Sequence, residues 1–102
     1  MKKAILIDER DNVATVASDV LEGETVEILS ADGKTITTPK TQDAIPFGHK
    51  IAVRDFDIGV KVVKYGETIG FASKPIETGE WVHTHNVESA AVPTSAFKRD
   101  QE

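Results

Sequence analysis

Residues 75–82, Pro75-Ile76-Glu77-Thr78-Gly79-Glu80-Trp81-Val82, place an apolar residue three positions before a glycine and a valine three positions after it. The same spacing recurs in Asp19-Val20-Leu21-Glu22-Gly23-Glu24-Thr25-Val26 and in Asp55-Phe56-Asp57-Ile58-Gly59-Val60-Lys61-Val62. The physical reading is a strand end, a tight turn whose glycine takes a positive φ, and a new strand that opens with an inward valine. The copies begin at residues 19, 55 and 75, so the intervals are unequal and the pattern is a recurring turn, not a solenoid. Used three times in a chain of 102 residues, it predicts a compact, irregular all-β domain with short strands and glycine turns.

Around these turns, helical periodicity is weak and short β-branched runs recur between Gly, Pro, Asp and Asn. Strands are expected at Ala4–Ile7, Asn12–Ala17, Glu24–Leu29, Thr35–Thr38, His49–Val53, Lys61–Lys64, Glu67–Ala72 and Glu80–Asn86. Ala31-Asp32-Gly33-Lys34 supplies a hairpin turn, and the polar run 40–44 a connection. The domain is expected to fill residues 1–88. The rest, 89–102, ends in Lys98-Arg99-Asp100-Gln101-Glu102 and reads as an extension that is loose unless something docks on it.

Composition narrows the partners. The chain carries a net charge of −5 with a pI near 5.1, which argues against nucleic acid or an anionic membrane surface. It has no cysteine, so disulfides and thiolate metal sites are excluded. The opening MKKAILIDERD has too few apolar residues for a secretory signal, and no stretch approaches a membrane span. A cytoplasmic location is expected. A core of small side chains leaves thin margins at this length, so burial against a partner, another copy in a homo-oligomer included, would help.

Two of the three histidines sit in Trp81-Val82-His83-Thr84-His85-Asn86-Val87. On a strand, both imidazoles would leave the same face roughly 6–7 Å apart, able to converge on one metal ion or one anion. Thr84 would point the other way. The competing reading is two histidines lining a solvated face, and for an isolated His-x-His that reading is the stronger one. His49 follows Pro46-Phe47-Gly48 and either packs on Phe47 or joins a site. Lys64-Tyr65-Gly66 reads first as a hairpin turn, with a lysine and a phenol able to hold an acid group. Asp55 fits a turn cap better than an ion pair with Arg54, and Trp81 belongs to the core or to an interface. No nucleophile pair, phosphate loop or nucleotide fingerprint is present. So small a chain, with a candidate site strand but no complete apparatus, reads as part of an enzyme.

The ordered series Pro46-Phe47-Gly48-His49-Lys50-Ile51-Ala52, Lys64-Tyr65-Gly66, Ile69-Gly70 and His83-Thr84-His85-Asn86 resembles the amino-terminal domain of altronate and galactarate dehydratases and the small subunit of sulfolactate sulfo-lyase. The likeness runs over roughly residues 3–88, and the Asp-x-x-x-Gly repeat is similar to the wider SAF superfamily of β-clip domains. The resemblance implies a β-clip fold that completes the active site of a larger catalytic lyase domain or subunit. The reaction it implies is β-elimination from a hydroxy acid, releasing water or sulfite, with a divalent metal, commonly iron(II), in the complete enzyme. It implies a catalytic role for His83 and His85, with metal coordination by the same pair. Substrate binding falls to His49, Lys50, Lys64, Tyr65 and Asn86. A non-catalytic module that binds a sugar acid or a protein is the alternative.

Overall fold

The computed structural model describes residues 1–89, and within them the chain forms nine strands and no helix. Hence no helix there is long and apolar enough to cross a membrane. The strands are β1 (Lys2–Leu6), β2 (Val13–Val16), β3 (Val26–Ser30), β4 (Thr35–Thr37), β5 (Lys50–Ala52), β6 (Lys61–Lys64), β7 (Glu67–Ala72), β8 (Trp81–Val82) and β9 (Val87–Ser89). Six form one sheet in the order β4-β3-β1-β2-β5-β8, with β1 and β3 parallel and the other pairs antiparallel. The remaining three form an antiparallel sheet, β6-β7-β9.

Both faces of the large sheet are covered. Adjacent residues Val13 and Ala14, and likewise Ile51 and Ala52, fall in different apolar clusters, as strand alternation requires. One cluster gathers Ala4, Val16, Val26, Ile28 and Ile51 with Val20 and Ile45. The other joins Val13, Ala52 and Val82 to Val62 and Ala72, so the small sheet packs on that face.

The glycine turns organise the fold, and there are four of them. The fourth, Ala44-Ile45-Pro46-Phe47-Gly48-His49-Lys50-Ile51, keeps the spacing with isoleucine in place of the final valine. Val20, Ile45, Phe56 and Ile76 are buried before each glycine, and Val26, Ile51, Val62 and Val82 after it. The four glycines have φ between +84° and +91°, a region that costs other residues about 1–2 kcal/mol. The turns pair through antiparallel bridges, Val20 with Ile45 and Phe56 with Ile76. Each pair is capped alike. Asp19 Oδ1 accepts the Phe47 N–H at 2.8 Å, and Asp55 Oδ1 accepts the Thr78 N–H at 2.8 Å. Asp55 is therefore the turn cap that the sequence suggests.

Gly79 is the tightest of these turns, because a Cβ there would strike the Lys40 carbonyl. Gly79→Ala is expected to cost about 2–4 kcal/mol, combining backbone strain with that clash. Urea denaturation measures it; a loss under about 0.5 kcal/mol would contradict the account.

Most strand ends shift by one or two residues from the sequence reading, and one shifts further. The strand expected over Glu80–Asn86 ends at Val82, and His83–Asn86 is a turn. The cause is Asn86, fully buried, whose Oδ1 accepts the His83 N–H at 3.0 Å and whose Nδ2 donates to the Trp81 carbonyl at 2.9 Å. That side chain takes over backbone groups a longer strand would need. Beyond it, Val87–Ser89 pairs with β7 as a further strand. The rest of the proposed extension lies outside the described residues.

Candidate functional site

The turn at residues 83–86 changes how the histidines meet. They do not leave one strand face in parallel; they gather around Trp81. The His83 ring stacks on the indole with centroids 5.4 Å apart and planes 7° apart. His85 lies 5.3 Å from the same ring at 51°. His49, brought in by the Gly48 turn, sits 5.5 Å from Trp81 edge-on and 5.0 Å from His83. It does not pack on Phe47 in the way one sequence reading allowed, and Phe47 is largely exposed.

Hydrogen bonds fix this group. Trp81 N–H donates to Asp43 Oδ2 at 3.0 Å, and its indole Nε1–H donates to His49 Nδ1 at 3.2 Å. The indole therefore finds the partner a partly buried tryptophan requires. Thr84 is exposed, not turned inward.

Lys50 follows His49 on β5, and its ammonium is partly buried. Burial, and then the charge of Lys64, push its pKa below the usual lysine value. The ion pairs of the described residues use Lys2, Lys3 and Arg10, so neither Lys50 nor Lys64 has a carboxylate partner there. Lys64 instead holds its ammonium 4.9 Å from the centroid of the Tyr65 ring. Tyr65 and Gly66, with φ of +56° and +74°, form the two-residue hairpin turn between β6 and β7. A cleft of about 200 Å³ opens beside Lys50 and His83, lined also by Ile69, Thr84, Val87 and Ser89.

Five basic side chains thus share one region of an acidic chain, and burial reinforces their mutual repulsion. His83 titrates below its ordinary 6.5, first from burial and then from His49, Lys50 and His85. A histidine whose pKa is lowered by folding contributes stability that is present above pH 6.5 and is lost as pH falls through the folded value. His83→Gln is expected to weaken the drop in stability on acidification below pH 6.5, read by chemical denaturation at several pH values. An unchanged slope would contradict the assignment.

Of the seven residues singled out from sequence, His49, His83 and His85 meet at Trp81, Lys50 adds charge next to them, and Lys64 adds charge next to Lys50. Tyr65 is exposed at the hairpin tip, and Asn86 is spent on its own turn. The sequence reading missed Trp81 as the hub and Asp43 behind it. It also missed Asp11 and Asn12, buried polar residues that clamp the Lys64–Tyr65 hairpin. Asp11 Oδ1 accepts the Gly66 N–H at 2.8 Å, and Asn12 bonds the Lys61 carbonyl and the Val63 N–H, each at 2.8 Å.

The described residues do not by themselves fit a metal centre. No three His, Asp or Glu side chains among those described converge on a metal-holding arrangement. His83 and His85 are packed on an indole, and His49 Nδ1 is occupied. A larger groove of about 640 Å³ lies elsewhere, lined by Leu6, Ile7 and Ile36 among others. Its Glu9, Asp11 and Asp32 outnumber Lys34 and Arg54, so it gives no net attraction to an acid.

A helix-free fold built on paired glycine turns, with a cationic and aromatic cluster at the edge strand β8 of its large sheet, defines a small all-β domain of the SAF class. The chain belongs to the altronate/galactarate dehydratase SAF domain family, which it matches over residues 2–90. It is 39% identical over 89 residues to an altronate dehydratase of Bacillus subtilis, covering 87% of this chain and 17% of that protein. An altronate dehydratase of Escherichia coli is 41% identical over 85 residues, 83% of this chain and 16% of that protein. The alpha subunit of (2R)-sulfolactate sulfo-lyase from Chromohalobacter salexigens is 46% identical over 50 residues, 49% of this chain and 53% of that protein. The chain thus spans about one sixth of the altronate dehydratases it matches.

Proposed function

We propose that this domain serves a lyase acting on hydroxy acids, holding the anionic end of the substrate while a larger catalytic domain or subunit carries out the elimination. The observation that carries this reading is Lys50, set beside the imidazole cluster with Lys64 near it, neither lysine having a carboxylate partner among the described residues. An unpaired, partly buried ammonium is costly unless an anion arrives. In a β-elimination from a hydroxy acid, a C–H and a C–O or C–S bond break, and charge builds on the carboxylate as the carbanion or enolate develops. Lys50, which lines the cleft, and Lys64 near it would oppose that charge, and pre-set cations are effective in this role. His83, kept neutral by its surroundings, would stay available to accept or donate a hydrogen bond. The described residues offer no set of three ligands for iron(II), so a metal in the complete enzyme would need ligands from the larger chain beside any that His83 and His85 supply.

The relatives support the reading from two sides. Altronate dehydratases carry the matching segment within a longer chain, and the sulfo-lyase carries it in a subunit named alpha. The test is reconstitution with the companion large lyase chain. Loss of water from altronate or galactarate, or release of sulfite from sulfolactate, is expected only when both are present. Turnover by this chain alone, or none with any of these acids, would overturn it.

A second reading, a non-catalytic module that docks a protein, draws on Leu21 and Phe47, each 66% exposed at turn tips flanking a shallow apolar groove. His83→Ala/His85→Ala separates the two: intact turnover with weakened assembly would favour docking.

A further inference from the structure

The four glycine turns are close to equivalent, which makes their differences informative. In two of them the residue after glycine is a glutamate that folds back on its own turn. Glu24 Oε1 accepts the Leu21 N–H at 2.7 Å, and Glu80 Oε2 accepts the Glu77 N–H at 2.6 Å. In both, the donor stands two residues before the glycine. In the Gly48 turn that donor position is Pro46, which has no N–H, and the residue after the glycine is His49. With no donor to satisfy, the side chain at 49 has no task in its turn. It reaches across to Trp81, whose Nε1–H occupies His49 Nδ1, while His49 Nε2 has no partner among the described residues.

We propose that His49 is a ligand-facing hydrogen-bond donor, released from its turn by Pro46 and held by Trp81 with Nδ1 as acceptor, so that the neutral ring presents Nε2–H to an anionic oxygen of the hydroxy acid. Trp81 is then a positioning residue, itself anchored through its backbone to Asp43. The proposal rests on the hydroxy-acid reading above, and narrows it to one atom and one tautomer. It also removes His49 from the set of groups that can act as a base or bind a metal through Nδ1, because that lone pair is already committed.

Two measurements test it. In the ¹⁵N-labelled chain, a scalar coupling across the hydrogen bond from Trp81 Nε1 to His49 Nδ1 is expected, and Trp81→Phe should abolish it while keeping an aromatic ring in place. Its absence from the wild-type chain would overturn the proposal. In the reconstituted lyase with altronate, His49→Gln keeps an amide N–H near the Nε2 position, and His49→Asn places one near Nδ1 instead. Asn is expected to raise KM about tenfold or more and Gln clearly less, the size of one lost hydrogen bond to a charged group. Asn matching or outperforming Gln would overturn the donor assignment. Pro46→Ala/His49→Glu rebuilds the glutamate turn of the other copies. It should fold with stability at least equal to wild type and show the raised KM; a wild-type KM would overturn the proposal. If the coupling is present but wild-type lyase turns over none of the acids, the hydroxy-acid reading fails and takes the donor role with it, leaving only the Trp81–His49 bond. If turnover is normal and the coupling is missing, the His49 assignment fails alone.

Discussion

Replacing Asn12 with alanine is expected to remove about 2–5 kcal/mol of stability, the largest effect of any single surface-to-core change in this domain. Asn12 is buried just before β2, and its amide bonds to the backbone of β6. Nδ2 donates to the Lys61 carbonyl and Oδ1 accepts the Val63 N–H, both at 2.8 Å, while the Asn12 main chain bonds Val63 and Val53. Truncation leaves one buried donor and one buried acceptor without partners, each costing about 1–3 kcal/mol. Asn12→Asp keeps the acceptor and loses the donor, so it should fall between alanine and wild type, with the added cost of a buried charge. Urea denaturation decides the matter. A loss under about 0.5 kcal/mol would mean that the sheets are held together by their apolar contact alone.

The second large effect is on chemistry. Lys50→Met is expected to cut kcat/KM of the reconstituted lyase by about 30- to 1000-fold, the equivalent of about 2–4 kcal/mol for a desolvated cation facing an anion. Stability should hold or rise, and the sign follows from the pKa. Burial and Lys64 lower the Lys50 pKa, so the folded state disfavours the ammonium. That penalty is fully present below the folded value and is relieved as pH rises towards 10.5, so methionine removes it at neutral pH. A residue kept only for the fold would behave in the opposite way, losing stability together with activity. Equal kcat/KM for the variant and wild type would end the anion-holding role.

How much of this is written in the chain depends on the range of the interaction. The glycine turns are local and were legible as a three-fold repeat, with the all-β class following from them. The fourth copy was hidden because isoleucine and proline replace the expected residues at positions 51 and 46, although the buried spacing is the same. The hairpin at Tyr65–Gly66 was equally local. The His-x-His motif misled for a physical reason. Alternation predicts a strand from side-chain polarity, but the turn is made by one side chain, Asn86, bonding to backbone groups three and five residues earlier. Asn12 and Asp11 were invisible because their partners lie 49 to 55 residues away. The site residues themselves came from the ordered family motifs, which name the side chains without saying that a tryptophan gathers them.

The central claim is that the anionic end of a hydroxy acid rests on Lys50, with Lys64, His49 and His83 around it. A crystal structure of the assembled lyase holding altronate, trapped by a catalytically dead variant of the large chain, tests this most directly. The account predicts a substrate carboxylate oxygen about 3 Å from Lys50 Nζ, at charge-assisted hydrogen-bond distance. A bound acid whose carboxylate touches none of these four side chains would contradict it.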